Sequence, residues 1–198
     1  MNSDHNDLEK IEDGLSNKLI YRKTEKENTK IIIDFSKDKQ EFKNFLNVYE
    51  ILLKVNVSIP KIYEVNKQQN KIYMQDFGSD RFNKKYNKDN LYKLLKLAVD
   101  NIIVIQNELH SKNLKNLKKY TFEDLKNELK EFVTYYISSN KNSNFPTSKF
   151  YKLWESIFYS QNYNMNNFVH KDFEFVNLFF LENYESHLQC GIIDFQSA

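Results

Sequence analysis

Three polar residues lie close together near the C-terminal end of the sequence, namely His170, Asp172 and Asn177. A carboxylate such as that of Asp172 can orient a hydroxyl group and accept its proton. The neutral amide oxygen of Asn177 can bind magnesium without adding negative charge beside phosphate groups. Together these side chains could transfer a phosphoryl group to an alcohol, a reaction that depends on positioning more than on an imidazole acid. We therefore expect His170 to brace the loop by hydrogen bonds.

A further acidic residue, Asp194, ends the apolar segment Gly191–Ile193. A predicted hairpin separates this segment from Asn177, so that one strand delivers a single carboxylate at its end. We interpret Asn177 and Asp194 as two magnesium ligands. The alternative interpretation is an ordinary turn, because Asp and Asn are common where strands meet loops. The order of His170, Asp172 and Asn177 matches the pattern H-x-D-x-x-x-x-N of a kinase catalytic loop, which favours the catalytic interpretation.

The sequence upstream of these residues predicts an antiparallel sheet covered by a helix. Segments rich in Ile, Leu and Tyr alternate with polar turns, as in strands joined by hairpins. One longer segment has apolar residues at helical spacing. The predicted order is strand, strand, helix, strand, strand, over residues Lys18–Arg22, Lys30–Phe35, Phe42–Lys54, Lys61–Val65 and Lys71–Met74.

The composition changes in the charged and polar segment Gly78–Asn90, where we place a lobe boundary. A helical stripe of apolar residues follows over Leu91–Leu109. Thr121 and Asp124 resemble a capping box at the start of another helix. A last helix is predicted over Phe150–Tyr159, and we interpret its apolar residues as helix core.

The composition is that of a globular protein and excludes several functions. Of 198 residues, 40% are hydrophobic and 15% aromatic, so a folded chain is expected. The 29 basic and 27 acidic side chains are scattered and form no basic face for nucleic acid. No apolar segment approaches the roughly 18 residues of a membrane span, and the polar N-terminus is not a signal peptide. We therefore expect a cytoplasmic protein without membrane contact, in which the single Cys190 is a buried small hydrophobe.

The pattern VHKDF…NL…GIIDFQSA resembles the aminoglycoside phosphotransferase and choline kinase-like superfamily. Within it, the pattern is most similar to the VHRDF…NL…GLIDFQDA of the N-acetylmuramate and N-acetylglucosamine anomeric kinases. The segment Ser16–Arg22, followed by Ile31–Asp34, resembles the phosphate-facing hairpin of that subgroup. The segment Tyr73–Gly78 resembles its L-L-E-D-L-G hinge.

This resemblance implies an α+β fold of the protein-kinase-like, two-lobe type. Residues 1–80 would form the N-lobe, with the nucleotide-binding sheet and the hinge. Residues 81–198 would form an incomplete, mostly helical C-lobe with the catalytic loop and the metal-binding hairpin. The implied activity is ATP-dependent transfer of the γ-phosphate to a hydroxyl of a small molecule, a sugar or an amino sugar, with Mg²⁺ as the cofactor.

The resemblance also implies a role for each matching residue. Asp172 would be the catalytic base, His170 would belong to the same catalytic loop, and Asn177 and Asp194 would bind magnesium. The residues that it assigns to ATP are Ser16 and Lys18 near the phosphates and the backbone of Gln75, Asp76 and Phe77 at the adenine.

Two departures from the family pattern keep an alternative open. Many kinases carry a strand lysine on the ATP phosphates where this sequence has Ile33 followed by Asp34. The family also continues through several helices beyond the position of Ala198, so the resemblance implies a C-terminally truncated member. Such a chain could depend on a missing C-terminal segment or a partner chain. The alternative function is therefore a catalytically inactive, kinase-like fragment or binding module.

Overall fold

A computed structural model describes residues 8–11, 18–26, 28–109, 114, 117–139, 144–160 and 167–198. Contacts divide the chain into two compact units, of which the first comprises Met1–Leu117 and Phe168–Ala198 and the second Lys118–Asn167. The lobe boundary suggested by the sequence at Gly78–Asn90 lies inside the first unit and stays a prediction. None of the described helices is long and apolar enough to cross a membrane.

A five-stranded antiparallel sheet opens the first unit, in the order β1-β2-β3-β5-β4. Four of its strands match the predicted ones, and the mixed α+β architecture is confirmed. The short strand β1 was not predicted, because its four residues lie in a polar segment and pair with β2 only at the edge of the sheet. The strands are β1 Leu8–Ile11, β2 Leu19–Glu25, β3 Asn28–Asp34, β4 Ile62–Asn66 and β5 Lys71–Gln75.

Helix α1, Lys39–Leu52, packs its apolar face into the same core as the sheet. The helix begins before the predicted Phe42 because the carboxylate of Asp38 caps it, accepting hydrogen bonds from the backbone N–H groups of residues 40 and 41. Residues two apart on a strand point to the same face. Alternate apolar residues of β3 and β5, such as Ile33 and Ile72, are consequently buried with the helix.

The first unit also contains helices α2, Phe82–Lys85, and α3, Leu91–Leu109, and a hairpin of strands β6, Leu178–Phe180, and β7, Cys190–Ile192. Helix α3 and the hairpin were predicted, whereas α2 is one short turn in a polar segment. The hairpin is joined to the loop after α1, because the backbone N–H of Ile192 donates to the carbonyl of Ser58 at 2.8 Å.

The second unit consists of helices α4, Phe122–Glu131, and α5, Thr147–Ser160, with a π-helical turn, Phe132–Ile137, after α4. The predicted capping box is confirmed, since the side chains of Thr121 and Asp124 bond each other's backbone N–H groups. The expected core of α5 is wrong, because no side chain of this helix is buried and Leu153 is 59% exposed. Two short helices make pairwise ring contacts, but a buried core needs a further layer to enclose it.

Candidate active site

The loop between Phe168 and β6 holds Asp172 and Asn177 in a fixed relation. The side-chain amide of Asn177 donates from Nδ2 to the backbone carbonyl of Asp172 at 3.0 Å. The backbone carbonyl of Asn177 accepts from the N–H of Ile193 at 3.1 Å, which joins the loop to the residue before Asp194. Asp172 itself is exposed, whereas Asn177 is buried. Two of the predicted site segments therefore meet through hydrogen bonds to backbone groups.

His170 is buried behind this loop and bonds to the same residue. Its Nε2 lies 3.0 Å from the carbonyl oxygen of Ile193, and since a carbonyl only accepts, Nε2 must carry the proton. Burial lowers the pKa of His170, although the Ile193 bond and the charges of Asp194 and Asp172 oppose this shift. Its Nδ1 is buried without a partner in the described part of the chain. A neutral imidazole at this place supports the backbone rather than exchanging protons.

Asp194 follows β7 in a left-handed backbone conformation, with φ of 62° and ψ of 37°. Asp tolerates this conformation better than most residues that carry a Cβ. Its Oδ1 accepts hydrogen bonds from Lys18 Nζ and, at 2.8 Å, from Gln196 Nε2. Burial by itself raises the pKa of Asp194, but the charge of Lys18 and the two hydrogen bonds outweigh burial and lower the pKa. Asp194 is thus ionised.

Lys18 stands just before β2, and its side chain is only 3% exposed. Besides pairing with Asp194, its ammonium lies 3.9 Å from Oε1 of Glu41 in the first turn of α1. Burial raises the pKa of Glu41, and the charge of Lys18 opposes that shift. One buried lysine is therefore shared by two carboxylates, with Gln196 beside them. Glu41 and Gln196 were missed by the sequence reasoning.

Strand β3 has no lysine at the position that many kinases use. Ile33 is 7% exposed and belongs to the core, while Asp34 pairs with Lys71 at 3.4 Å. Lys18 enters from the neighbouring strand and brings an ammonium to the carboxylate of Asp194. The buried ammonium of this region thus belongs to Lys18, just before β2, while the position on β3 is apolar.

A cleft of about 410 Å³ lies beside this cluster. Lys18, Asp194 and Gln196 line one part of it, and Arg22 and Asp76 line another. Apolar side chains form the walls between these polar groups, from the sheet on one side and from the hairpin and the residue after it on the other. These wall residues are Ile20, Ile31, Ile33, Met74, Phe179 and Ile193. A flat, apolar base with a charged tail suits such a slot.

The predicted hinge residues have different positions around the cleft. Asp76 lines it, and its carboxylate accepts from Arg22 Nε at 2.6 Å. The ring of Phe77 packs against Phe179, with centroids 5.8 Å apart. Gln75 ends β5 and pairs with β3. The remaining predicted nucleotide contact, Ser16, lies outside the described residues.

Of the site residues predicted in the loop and the hairpin, only Asp194 lines the cleft, and Asn177 is joined to this wall through the N–H of Ile193. The two offer oxygen donors that fit a magnesium ion bound together with phosphate groups. The described residues contain no group of three or more His, Cys, Asp and Glu side chains able to hold a metal by themselves. Asn177 and Asp194 offer one amide and one carboxylate oxygen, and Mg²⁺ is commonly bound by one or two protein carboxylates with substrate phosphates completing its shell. These two residues are the ones that would hold the ion.

The architecture defines the class of fold first. A five-stranded antiparallel sheet with one covering helix, followed by helices and a short hairpin that carries an acidic residue, is the protein-kinase-like arrangement of phosphotransferases. No protein-family model matches the sequence, and no curated protein matches it either.

Three phosphotransferases are among the solved structures that share this fold. A thermostable mutant of aminoglycoside phosphotransferase APH(4)-Ia is similar over 96% of this chain and 67% of its own, with 14% identity and a TM-score of 0.64. Spectinomycin phosphotransferase APH(9)-Ia, in complex with ADP and spectinomycin, is similar over 95% and 63%, with 12% identity and a TM-score of 0.61. The streptomycin–ATP complex of APH(2″)-IIa is similar over 97% and 66%, with 17% identity and a TM-score of 0.54. The chain thus spans about two thirds of the length of these proteins, and the likeness establishes the fold.

Proposed function

We propose that this protein is an ATP-dependent phosphotransferase that transfers the γ-phosphoryl group to a hydroxyl of a small molecule. The observation that carries the proposal is the cluster of Lys18, Glu41, Asp194 and Gln196 at the cleft. Through Ile193 the cluster is hydrogen-bonded to the loop of Asp172. A buried lysine beside a metal-binding carboxylate can stabilise the negative charge that is distributed over the transferred phosphoryl group.

Each residue has a defined task in the proposed reaction. Asp172, exposed on its loop, accepts the proton of the acceptor hydroxyl as the acceptor oxygen forms its bond to the γ-phosphorus. The bond from that phosphorus to the β–γ bridging oxygen breaks, and ADP leaves with the electron pair. Lys18 donates to the phosphates, while Glu41 and Gln196 keep its ammonium and the carboxylate of Asp194 in place. Magnesium held by Asn177 and Asp194 would neutralise phosphate charge.

The nucleoside end and the acceptor are assigned in the same proposal. Backbone groups of Gln75–Phe77, and Ser16 at the phosphates, are the further ATP contacts that the family resemblance supports. The acceptor is proposed to be a sugar or an amino sugar, on the resemblance of the loop and hairpin motifs to anomeric kinases. The lobes are proposed to divide at residues 80 and 81.

The test is phosphoryl transfer from labelled ATP to a panel of sugars and amino sugars, with Mg²⁺ present and absent. We expect Asp172→Asn to lower kcat about 10²- to 10⁴-fold, because the general base is lost, and to leave the Kd for ATP unchanged. Glu174→Gln is the matched control, since it removes an exposed carboxylate from the same loop. Equal turnover by Asp172→Asn and wild type would refute the mechanism. ATP binding without transfer to any acceptor would favour the inactive binding module.

A further inference from the structure

Arg22 and Asp76 form an ion pair at the end of the cleft away from Lys18. Arg22 Nε donates to Asp76 Oδ2 at 2.6 Å, and its Nη2 lies 3.3 Å from Oδ1 of the same carboxylate. The side chain of Asp76 is only 4% exposed, and that of Arg22 is 28% exposed. Burial raises the pKa of Asp76, but the hydrogen bonds from Arg22, Gly78 and Thr29 together with the Arg22 charge lower it overall. The pair is ionised and built into the wall of the cleft.

Two of the basic residues that line the cleft, Lys18 just before β2 and Arg22 on β2, lie on one face of the sheet. Lys18, Ile20 and Arg22 are each two residues apart, so their side chains point to the same side of the sheet, and all three line the cleft. At roughly 3.3 Å per residue, Lys18 and Arg22 stand about 13 Å apart along the chain. That separation is about the length of a nucleoside triphosphate from its base to its terminal phosphates. Lys18 is paired with Asp194, and Arg22 is paired with Asp76.

The planar fork of Arg22 joins three separate segments of the chain. Nη1 lies 3.7 Å from Glu9 on β1, and Nη2 donates at 3.1 Å to the carbonyl of Gly78 at the end of the hinge. The N–H of Gly78 in turn donates to Asp76 Oδ1 at 2.8 Å. Both backbone polar groups of Gly78 are therefore satisfied within the protein. These contacts connect the hinge to β1 and β2 without a bound ligand.

We propose that Arg22, anchored by Asp76, is a positioning residue that preforms the nucleoside end of the cleft. The proposal rests on the function proposed above and assigns that end to a residue on β2, whereas Lys18 serves the phosphate end of the same strand. Arg22 keeps β2 at a fixed distance from the hinge, so the base and ribose bind in a preformed site. Preforming a binding site lowers the ordering cost of binding.

The experiment measures equilibrium binding of three probes to the full chain, namely ATP, adenosine and inorganic triphosphate. We expect Arg22→Gln to weaken ATP and adenosine by the same factor, about tenfold, and to leave triphosphate unchanged. Lys18→Gln should give the opposite pattern, weakening ATP and triphosphate but not adenosine. Lys23→Gln, which removes an ion pair with Glu25 from the other face of β2, is the control and should alter none of the three.

Two further variants keep the test sharp if Arg22→Gln folds poorly. Arg22→Lys keeps the charge but loses the fork, since one ammonium cannot reach Asp76 and Gly78 in the same way. Asp76→Asn loosens the anchor from the hinge side. Both should weaken adenosine without weakening triphosphate, and in turnover both should raise KM for ATP more than they lower kcat.

The outcomes separate this proposal from the proposed function. Equal weakening of all three probes by the Arg22 and Asp76 variants would show a merely structural ion pair and overturn the positioning role. Unchanged adenosine binding in folded variants would overturn it as well. A wild-type chain that binds none of the probes would overturn the proposed function and, with it, this role of Arg22.

Discussion

Gly191→Ala is expected to destabilise the protein by forcing the hinge away from the hairpin. Gly191 lies in the middle of β7, and a Cβ built there would stand 2.7 Å from Cε2 and 2.9 Å from Cδ2 of Phe77. Ordinary contacts begin at 3.4 Å, so the ring would have to move by 3.4 − 2.7 = 0.7 Å. The ring cannot swing out freely, because its other neighbour is Phe179, with centroids 5.8 Å apart. Phe77 also belongs to the hinge that we assign to the nucleotide.

The cost follows from this overlap. Overpacking of a well-packed site costs about 1–3 kcal/mol, and for a chain of this length each kcal/mol lowers Tm by about 2–4 °C. We therefore expect Tm to fall by about 2–12 °C in a thermal melt followed by circular dichroism. ATP binding should weaken as well, since the displaced ring carries the hinge backbone with it.

A second substitution identifies the cause. Phe77→Leu removes the overlapping ring atoms, so the double variant should be more stable than the sum of the single effects by about 1 kcal/mol. Gly78→Ala is the contrasting control, because its Cβ would meet no atom within 4 Å but its backbone has φ of +85°. That variant should lose stability through backbone strain, which Phe77→Leu cannot relieve. A Gly191→Ala protein that melts like the wild type would refute the packing argument.

Two other predictions concern parts of the chain away from the cleft. Burial raises the pKa of Cys190 to about 12, so the thiol reagent DTNB should not react with the native protein at pH 8 but should titrate one thiol in denaturant. Rapid labelling of the native protein would contradict the buried position of Cys190. Thr121→Ala should lower the stability of the second unit by about 1 kcal/mol because the cap of α4 is lost, whereas Thr121→Ser should keep the cap and the stability. Hydrogen exchange of residues 122–131 measures the change, and equal protection in wild type and both variants would contradict the role of the cap.

Elements with strong local signals were predicted well from the sequence. The stripe over Leu91–Leu109 and the capping box at Thr121 each depend on residues within one or two helical turns, and both have the predicted structure. The core assigned to α5 was wrong for the opposite reason. Amphipathic spacing shows which face of a helix is apolar, but burial depends on whether another layer covers that face.

The motif residues of the candidate site could be predicted from their local spacing, whereas its long-range ion pairs could not. His170, Asp172 and Asn177 stand at fixed spacing in one loop, so the pattern is visible in the sequence. Lys18 and Asp194 pair across 176 positions, and no local spacing encodes such a contact. Their pairing depends on tertiary packing between distant segments, in which Phe45 of α1 contacts Phe195, the residue after Asp194.

Charged residues at positions where a strand face is otherwise apolar are a sequence signal that could have identified these ion pairs. Lys18, just before β2, and Arg22 on β2 flank Ile20 on the face that points into the cleft. A charge at an inward position must be paired inside the protein, because an uncompensated buried charge costs several kcal/mol. Both lysine and arginine are paired with carboxylates of other segments, Asp194 and Asp76.

The same reasoning applies to Glu41 on α1. Glu41 stands in line with Phe45, Val48 and Leu52, at the i, i+4, i+7 and i+11 positions of the helix face that packs into the core. A purely structural helix would place an apolar residue at the first of these positions. The acidic residue there points to a basic partner beneath the helix, and Lys18 is that partner at 3.9 Å. Because Lys18 also lines the cleft, the break in the apolar pattern of α1 marks the position where the helix meets the charged cluster.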